Sequence, residues 1–480
     1  MQIDCSPKEL FILKKIARTA ASLQMPAYVV GGFVRDKIIQ RPSKDADIVC
    51  IGNGIELANA FASRFKPEPA VAVFKNFGTA QVKIPWKDDA DNDSFFEVEF
   101  VGARRESYTI NSRKPSVEPG SLEEDQLRRD FTINALAISL NENDYGRLID
   151  PFNGLKDLED KCIITPTDAN QTFSDDPLRM MRAIRFATQL RFNIAPATWQ
   201  AIKDNKERIR IISQERITDE LNKIMLTPQP SLGWDLLFRS GLLDIIFPEM
   251  CLLHGAEYID GMGHKDNFYH TLQVLDNIST TTNDLWLRWA ALLHDIAKPA
   301  TKRFEEGIGF TFHAHEVVGA RMVPKIFTKL KLPLNEHMRF VQKMVLLHLR
   351  PISLTKENIT DSAIRRLLFD AGEHIDQLML LCNADITSKN RQKVRRYLAN
   401  FELVKKRMYE VEEKDQLRNW QPPITGQIIM QVFGVGPSKI VGIIKDEVRE
   451  AILDGRIENN YYAAHAYMIQ VAQAHGLTPA

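Results

Sequence analysis

The hydrophobic pattern changes character near Asp150. Before it, YVVGG (28–32) is a short apolar run ending in a glycine pair, and VRDKIIQ (34–40) carries a helical rhythm. DADIVC (45–50), TAQVKI (79–84) and FFEVEFV (95–101) are short and β-rich, which predicts strands of one sheet. WKDDADNDS (86–94) and GARRESYTINSRKPSVEPGSLEED (102–125) are polar and charged with Gly, Pro or Ser, and so predict mobile loops, the second unusually long. From DPLRMMRAIRFATQL (176–190) to about residue 225, apolar residues recur at three- and four-residue spacing, with a break from Asn193 to Pro196; this is the pattern of a helical neck. Pro228 and Pro230 mark a boundary, and a further helical region up to about residue 400 carries most of the histidines. QPPITGQ (421–427) and FGVGPSK (433–439) punctuate a helical tail. The predicted class is α+β, an α/β head on an elongated all-helical body, with divisions at 1–155, 156–235, 236–400 and 401–480. No repeat at solenoid period is visible.

Composition narrows the function classes. A chain of 480 residues can form several cores, and 44% hydrophobic with 26% charged residues excludes long disorder or a fibrous repeat. No apolar run approaches the roughly 20 residues of a membrane span. The first twenty residues place Asp4 ahead of an amphipathic rhythm, unlike a secretory leader. Cys5, Cys50, Cys162, Cys251 and Cys382 are scattered without a CxxC, which points to a reducing cytoplasm rather than a disulfide framework or thiolate zinc site. Lys+Arg and Asp+Glu are both 62, so a nucleic acid partner must be held by a local basic patch. Nothing calls for an obligate protein partner or a membrane.

Strand geometry places Asp45 and Asp47 on one face while Ala46 and Ile48 point to the core. Carboxylates that close raise each other's pKa unless a cation neutralises them, and a Mg²⁺ pair suits exposed neighbouring acids. The same alternation leaves Glu97 and Glu99 on the open face of FFEVEFV, and Glu99 is taken as the third acid. Alone, a DxD pair also occurs on ordinary surface strands, and a glycine pair is often just a turn. Together they describe a phosphate site: Gly31 and Gly32 let backbone N–H groups approach closely, and Arg35 adds positive charge.

In DDPLR, Asp176 and Arg179 are three apart, and on a helix they project from one face as acceptor and donor. Such a carboxylate accepts from the amino group of cytosine or adenine and repels the carbonyl of uracil or guanine. An exposed i,i+3 ion pair fits the same spacing.

GGFVRD, DADIV, RRDFTINALA, DPFNG, DDPLRMMRAIRFA and ERITDELNKI stand in this order over about the first 225 residues. They resemble the motifs of the class II CCA-adding tRNA nucleotidyltransferase and bacterial poly(A) polymerase superfamily. The resemblance implies a polymerase-β-like head, the tRNA 3′ end as substrate, and CTP and ATP as donors. It implies that Asp45 and Asp47 hold Mg²⁺ and that Glu99 assists. Gly31, Gly32 and Arg35 would hold the triphosphate, and Arg128, Arg129, Asp130 and Asn134 the phosphates and ribose. Asp175 stands where the family usually has Glu. The loop around Arg104, Arg105 and Glu106 becomes a lever for changing from C to A addition, or else a solvated linker. A poly(A) polymerase, a partial CC- or A-adding enzyme, and a noncatalytic tRNA-binding protein with a phosphohydrolase remain alternatives.

FYHT, LLHDIAKP, FHAHE, LLHLR and NADITS resemble the HD phosphohydrolase pattern, with Ala297 where that pattern has Gly. The resemblance implies His270, His294, Asp295 and Asp385 as a minimal site, with His315 and His348 for a second metal, the cation being Mg²⁺ or a divalent transition metal. The substrate implied is a phosphate or 2′,3′-cyclic phosphate on a damaged tRNA end. SKNRQKVRRY concentrates Lys389, Arg391, Lys393, Arg395 and Arg396, an RNA-backbone contact or a solvated helix face.

Overall fold

A computed structural model describes residues 3–43, 45–75, 78–87, 93–109, 112–259, 262–354, 360–387, 391–415 and 420–480. The chain divides into two compact units, 1–227 with 232–246, and 228–231 with 247–480.

The first unit is built on a seven-stranded mixed sheet in the order β3-β4-β5-β2-β1-β8-β9. Its strands are β1 (Ala27–Val30), β2 (Asp45–Cys50), β3 (Val71–Phe74), β4 (Thr79–Lys87), β5 (Asp93–Gly102), β8 (Ala137–Ser139) and β9 (Leu148–Ile149). Helix α1 (Pro7–Ser22) starts at a capping box in which Ser6 and Glu9 satisfy each other's backbone N–H groups. Glu9 also pairs with Lys37 at 2.6 Å on α2 (Gly32–Ile38), so the cap ties two helices together. β2 and β5 run parallel, joined through α3 (Gly54–Ala62) and the β3–β4 hairpin; the other ladders are antiparallel. The period-2 expectation holds, since Ala46, Ile48, Phe96, Val98 and Phe100 are buried. Phe100 meets Phe61 of α3 at 5.3 Å and Phe96 meets Phe33 of α2 at 6.3 Å, so the apolar face of the sheet packs under these helices.

Segment 102–125 corrects the loop expectation. It forms a separate hairpin of β6 (Arg104–Thr109) and β7 (Ser112–Pro119), then α4 (Leu122–Leu127), capped by Ser121 and Glu124. Polar composition marks exposure, but the backbone groups of a polar segment can still pair locally, here with Arg105 set across from Glu118. The tip of the 86–94 segment lies outside the described residues; its ends extend β4 and β5.

After α5 (Gly154–Glu159), β10 (Cys162–Ile163) pairs with β11 (Asn193–Ile194), which occupies the expected break in the neck. The neck helices are α6 (Ala169–Asp175), α7 (Leu178–Leu190), α8 (Pro196–Asn205) and α9 (Gln214–Met225). α7 buries Met180, Met181, Ala183, Ile184 and Phe186, the stripe that its periodicity foretold.

Among the described residues the second unit is helical with two small ribbons, Tyr258–Ile259 with Met262–Gly263 and Arg303–Glu305 with Gly309–Thr311. Its helices include Asn267–Ser279, Leu285–Leu293, His315–Lys329, Glu336–Leu347 and Ile375–Asp385. Asp266 and Asp284 cap the first two of these through backbone N–H groups. Helices Gly426–Phe433, Lys439–Leu453 and Tyr461–Ala474 share a small core around Ile429, Phe433, Ile444, Val448 and Met468. Arg366 joins that core to the helix Asp361–Ala371 through Glu450 at 3.0 Å and Asp454 at 2.6 Å. Among the described residues, no helix is long and apolar enough to cross a membrane.

Candidate active sites

β1 ends at Gly31, which has φ 72° and ψ −134°, a conformation that side chains strongly disfavour. A Cβ there would stand 3.0 Å from Arg129 Nη1 and 3.4 Å from Asp47 Oδ2, so the missing side chain lets a guanidinium and a carboxylate meet at the turn. Register does the rest. Val30 lies opposite Asp47, and β2 pairs with β5 so that Asp45 faces Glu97 and Asp47 faces Glu99. Glu97 is engaged by Lys83 at 2.7 Å and Gln81 at 2.9 Å, whereas Glu99 reaches solvent at the Asp47 register.

Burial, reinforced by the Asp45 charge and opposed by Arg129, pushes the Asp47 carboxyl above its ordinary value. Desolvation and then the Asp47 charge push Glu99 up as well, although its side chain reaches solvent. A cation between these acids would relieve that repulsion, so the donor set fits divalent metal. The three acids share a face without closing to 4.8 Å of one another as a set, unlike the two clusters of the second unit.

Arg35 is buried and donates to Asn134 Oδ1 at 2.6 Å and Asp36 Oδ1 at 2.8 Å. Asn134 donates to Asp130 Oδ1 at 3.0 Å, and Asp130 Oδ2 accepts from Arg182 Nε at 2.7 Å. Burial alone would raise Asp130; the Arg182 charge and the hydrogen bonds of Asn134 and Arg182 overcome it and hold Asp130 down at about 2. Buried Asp125 accepts from both Arg128 and Arg129, the latter at 3.0 Å through Nη2.

The i,i+3 placement of Asp176 and Arg179 on one helix is not what the chain adopts. α6 stops at Asp175, Asp176 is extended with φ −132° and ψ 98°, and α7 starts after Pro177. A residue before proline is driven out of the helical region, which breaks the helix between the two residues. Asp176 Oδ1 accepts from the Leu178 N–H at 3.1 Å and Oδ2 lies 3.7 Å from Arg216, while Arg179 Nη2 donates to the Arg128 carbonyl at 2.6 Å. Arg179 therefore joins the segment of Arg128 and Arg129 through a backbone carbonyl.

In the second unit, six predicted side chains converge from five helices and their ends. His270 Nε2 lies 3.0 Å from Asp385 Oδ1, and His294 Nε2 lies 3.2 Å from Asp295 Oδ2 and 3.4 Å from Asp385 Oδ1. His315 Nε2 is 3.2 Å from Asp295 Oδ1 and His348 Nε2 is 3.9 Å from it. Among the described residues, two sets have ligand atoms all within 4.8 Å: His270, His294 and Asp385; and Asp295, His315 and His348. The Nδ1 atoms of His294, His315 and His348 face the carbonyls of Ala291, Phe312 and Val345 at 2.7, 2.8 and 2.6 Å. A carbonyl only accepts, so each Nδ1 carries a proton, and each Nε2, once deprotonated, directs a lone pair into the cluster. Those three Nε2 atoms are buried without a hydrogen-bond partner. Buried lone pairs beside two carboxylates fit divalent cations.

Burial opposes a charged His294, yet Asp295 and Asp385 outweigh it and push it up to about 10. Burial and then the His294 charge hold His348 down at about 4. A proton here does the neutralising that a metal ion does better. Ala297 sits at φ −92° and ψ 0°, a backbone that does not require glycine, and Lys298 Nζ lies 2.5 Å from Asp295 Oδ2. His313 is exposed and pairs with Glu305 at 3.2 Å, away from the set.

Comparisons with known proteins match three stretches of the chain to family models. Residues 27–164 match the Poly A polymerase head domain, 191–253 the probable RNA and SrmB-binding site of polymerase A, and 267–389 the HD domain. An A-adding tRNA nucleotidyltransferase of Aquifex aeolicus is 46% identical over 179 residues, 37% of this chain and 20% of that longer relative. An A-adding tRNA nucleotidyltransferase of Deinococcus radiodurans is 31% identical over 350 residues, 71% of this chain and 77% of the relative. This chain belongs to the tRNA nucleotidyltransferase family. A CCA-adding enzyme of Streptococcus pyogenes serotype M3 is 27% identical over 467 residues, 96% of each chain. A solved structure of a CCA-adding enzyme, apo form II, has the same fold, with TM-score 0.63 at 22% identity, covering 99% of this chain and 100% of that one.

The fold is thus a polymerase-β-like head with a helical body and an HD domain, and divalent metal use accompanies both catalytic domain types. In this tRNA nucleotidyltransferase family member the head residues Arg129, Asn134, Arg35 and Asp130 form one hydrogen-bonded network, with Asp47 and Arg129 both beside the Gly31 turn. Gly32 stands 3.6 Å, measured from its Cβ position, from Arg35 Nη2. Of the RNA candidates, Arg395 and Arg396 are exposed on the helix Arg391–Asp415; Lys389 and the side chains of Arg391 and Lys393 lie outside the described residues, as does that of Glu106.

Sequence reasoning missed Asp125, Arg182, Glu220 and Thr387. Asp125 was within reach of a spacing argument, being three and four residues before Arg128 and Arg129. Arg182, whose partner Asp130 is 52 residues away, and Thr387, whose hydroxyl meets His270 Nδ1 at 2.9 Å across 117 residues, left no local signal.

Proposed function

We propose that this chain adds CCA to the 3′ end of tRNA from CTP and ATP without a nucleic acid template, and that its HD domain hydrolyses phosphate esters at tRNA ends. The observation that carries the first reading is the Asp45, Asp47 and Glu99 face at the Gly31 turn, with the Arg129 guanidinium at the same turn. The tRNA 3′-hydroxyl attacks the α-phosphorus, the bond to the β-phosphate oxygen breaks, and pyrophosphate leaves. Asp45 and Asp47 would hold Mg²⁺ with help from Glu99, and the chemistry supplied there is a lowered pKa for the hydroxyl and neutralisation of the leaving charge. Gly31, Gly32 and Arg35 bind the triphosphate; Arg128 and Arg129, clamped by Asp125, and Asn134, oriented by Asp130, hold phosphates and ribose. Asp176 and Arg179 meet the base edge from a turn rather than one helical face, the carboxylate accepting from cytosine or adenine.

In the HD domain, His270, His294 and Asp385 would hold one cation and Asp295, His315 and His348 another, Mg²⁺ or a transition metal, which supplies a nucleophilic water. Water adds to the phosphorus of a 2′,3′-cyclic phosphate, one P–O bond breaks, and the released oxygen takes a proton to become a hydroxyl. The protein works in the cytoplasm, the head spanning 1–155, the base-reading neck 156–235, the HD domain 236–400 and a tRNA-contacting tail 401–480. Arg395 and Arg396 reach the RNA backbone from the exposed helix that joins the last two.

The test is to incubate the protein with tRNA lacking CCA, supply CTP and ATP separately and together, and size the products. Addition of three nucleotides with both is expected; an unchanged band, with no A added to a tRNA ending in CC either, removes the head reading. Addition of A onto a CC end alone is the second reading, which two A-adding relatives favour; it predicts no extension with CTP. Phosphate release from a 2′,3′-cyclic end with Mn²⁺, Ni²⁺ or Mg²⁺ tests the HD domain, and no release with any of them makes it structural.

A further inference from the structure

Three rings that the proposed hydrolysis does not use gather beside the HD cluster. His264 follows the first ribbon, Phe310 lies within the strand Gly309–Thr311, and Phe312 is just beyond it. The His264 ring stands edge-on to Phe310 at 4.9 Å and to Phe312 at 5.8 Å. All three rings are partly exposed, which sets them apart from the buried core of the same unit.

Both sides of this group are tied to candidate ligands. The Phe312 carbonyl accepts from His315 Nδ1 at 2.8 Å. Lys265, next to His264, donates to the Thr387 carbonyl at 3.2 Å, and the Thr387 hydroxyl meets His270 Nδ1. Cations line the same edge. Lys298 Nζ, 2.5 Å from Asp295, lies 5.7 Å from the centre of the Phe312 ring, and Lys302 lies 5.9 Å from that of Phe310. Rings beside lysines at the rim of a phosphate-hydrolysing cluster match what a nucleotide needs: aromatic faces for any base and positive charge for its backbone.

We propose that His264, Phe310 and Phe312 form a stacking wall for the nucleobase next to the phosphate, so that the HD site takes nucleoside and RNA-end phosphates over base-free phosphate esters. This rests on the hydrolase reading of the cluster. The test uses the full chain with Ni²⁺ and two substrates, adenosine 2′,3′-cyclic phosphate and glycerol 1,2-cyclic phosphate. Phe312→Leu is expected to raise KM about tenfold for the adenosine substrate, the size of one lost stack, with kcat unchanged and the glycerol substrate unaffected. Phe312→Tyr restores KM.

Calorimetric titration with adenosine 2′-phosphate and with glycerol phosphate reads the same preference without turnover. Wild-type protein that binds the adenosine compound more tightly, loses that margin in Phe312→Leu and yet hydrolyses nothing keeps the wall and removes the hydrolase. Equal KM changes for both substrates, or equal binding of both ligands by wild type, overturns the wall. Mn²⁺ or Ni²⁺ content in equilibrium dialysis reports that the HD domain of the variant is folded; if Phe312→Leu fails it, Phe310→Leu carries the same comparison.

Discussion

Arg185 and Glu220 form a buried ion pair behind the nucleotide network, with Nε and Oε2 2.6 Å apart and side chains 10% and 3% exposed. Arg185 lies over the Phe186 ring at 3.8 Å, and the same ring carries Arg35 at 4.9 Å and Arg182 at 5.5 Å. Burial would raise Glu220, but the Arg185 and Lys223 charges hold it below its ordinary value. Arg185 is also lowered, by burial and then by Arg182 against the pull of Glu220. A guanidinium stays protonated at any working pH, so Arg185 keeps its charge opposite Glu220. Glu220→Ala strands that charge, at a cost of about 3–5 kcal/mol. Gln189, which accepts from Arg185 Nη1 at 3.1 Å, keeps the loss near the lower end. About 3 kcal/mol corresponds to a fall of roughly 6–12 °C in apparent Tm for a unit of this size.

Removing both charges removes the penalty, so Arg185→Met with Glu220→Leu should return to within about 1 kcal/mol of wild type. Thermal unfolding of wild type, Glu220→Ala and the double variant at neutral pH makes the comparison. The pH arm has a definite sign. A carboxylate with a depressed folded pKa stabilises fully above its unfolded value of about 4.3, and that contribution drains away as pH falls through the folded value. The gap between wild type and Glu220→Ala should therefore close in acid. A single variant within 1 °C of wild type, or a double variant as damaged as the single one, refutes the reasoning.

Asp45→Ala should reduce elongation by about a thousandfold, the loss of several kcal/mol of charge stabilisation, while gel-shift binding of tRNA stays near wild type; equal loss of both would mean misfolding. Gly31→Ala forces a side chain into a positive-φ turn and against Arg129, so a cost of about 1–3 kcal/mol and a raised KM for CTP and ATP are expected; unchanged kinetics would mean that the turn touches no nucleotide. His348→Ala should lower the amount of Mn²⁺ or Ni²⁺ bound in equilibrium dialysis by about one ion per chain without changing tRNA extension, and full metal content would exclude His348 as a ligand.

How much was legible follows from the range of the interactions. Alternation in DADIVC and FFEVEFV determined which acids share the open face, because side-chain direction in a strand depends only on parity. The heptad-like stripe of α7 and the Asn193–Pro196 break were equally local. Motif order pointed to the family, and the histidine motifs named a set that the fold does gather.

Three things needed the tertiary structure. The register that puts Glu99 rather than Glu97 beside Asp47 is a pairing of strands about fifty residues apart, and neither strand alone specifies its partner. Segment 102–125 reads as loop from its polarity, yet it pairs with itself, since hydrogen bonds within a hairpin need no apolar face. The Asp130–Arg182 and His270–Thr387 contacts join residues far apart in the chain, so only packing could bring them together. The sequence by itself determined the chemical groups and their facing within each element. The tertiary structure decided which of them stand within a few ångströms of one another, because Coulomb and hydrogen-bond energies depend on distance in space and not on separation along the chain.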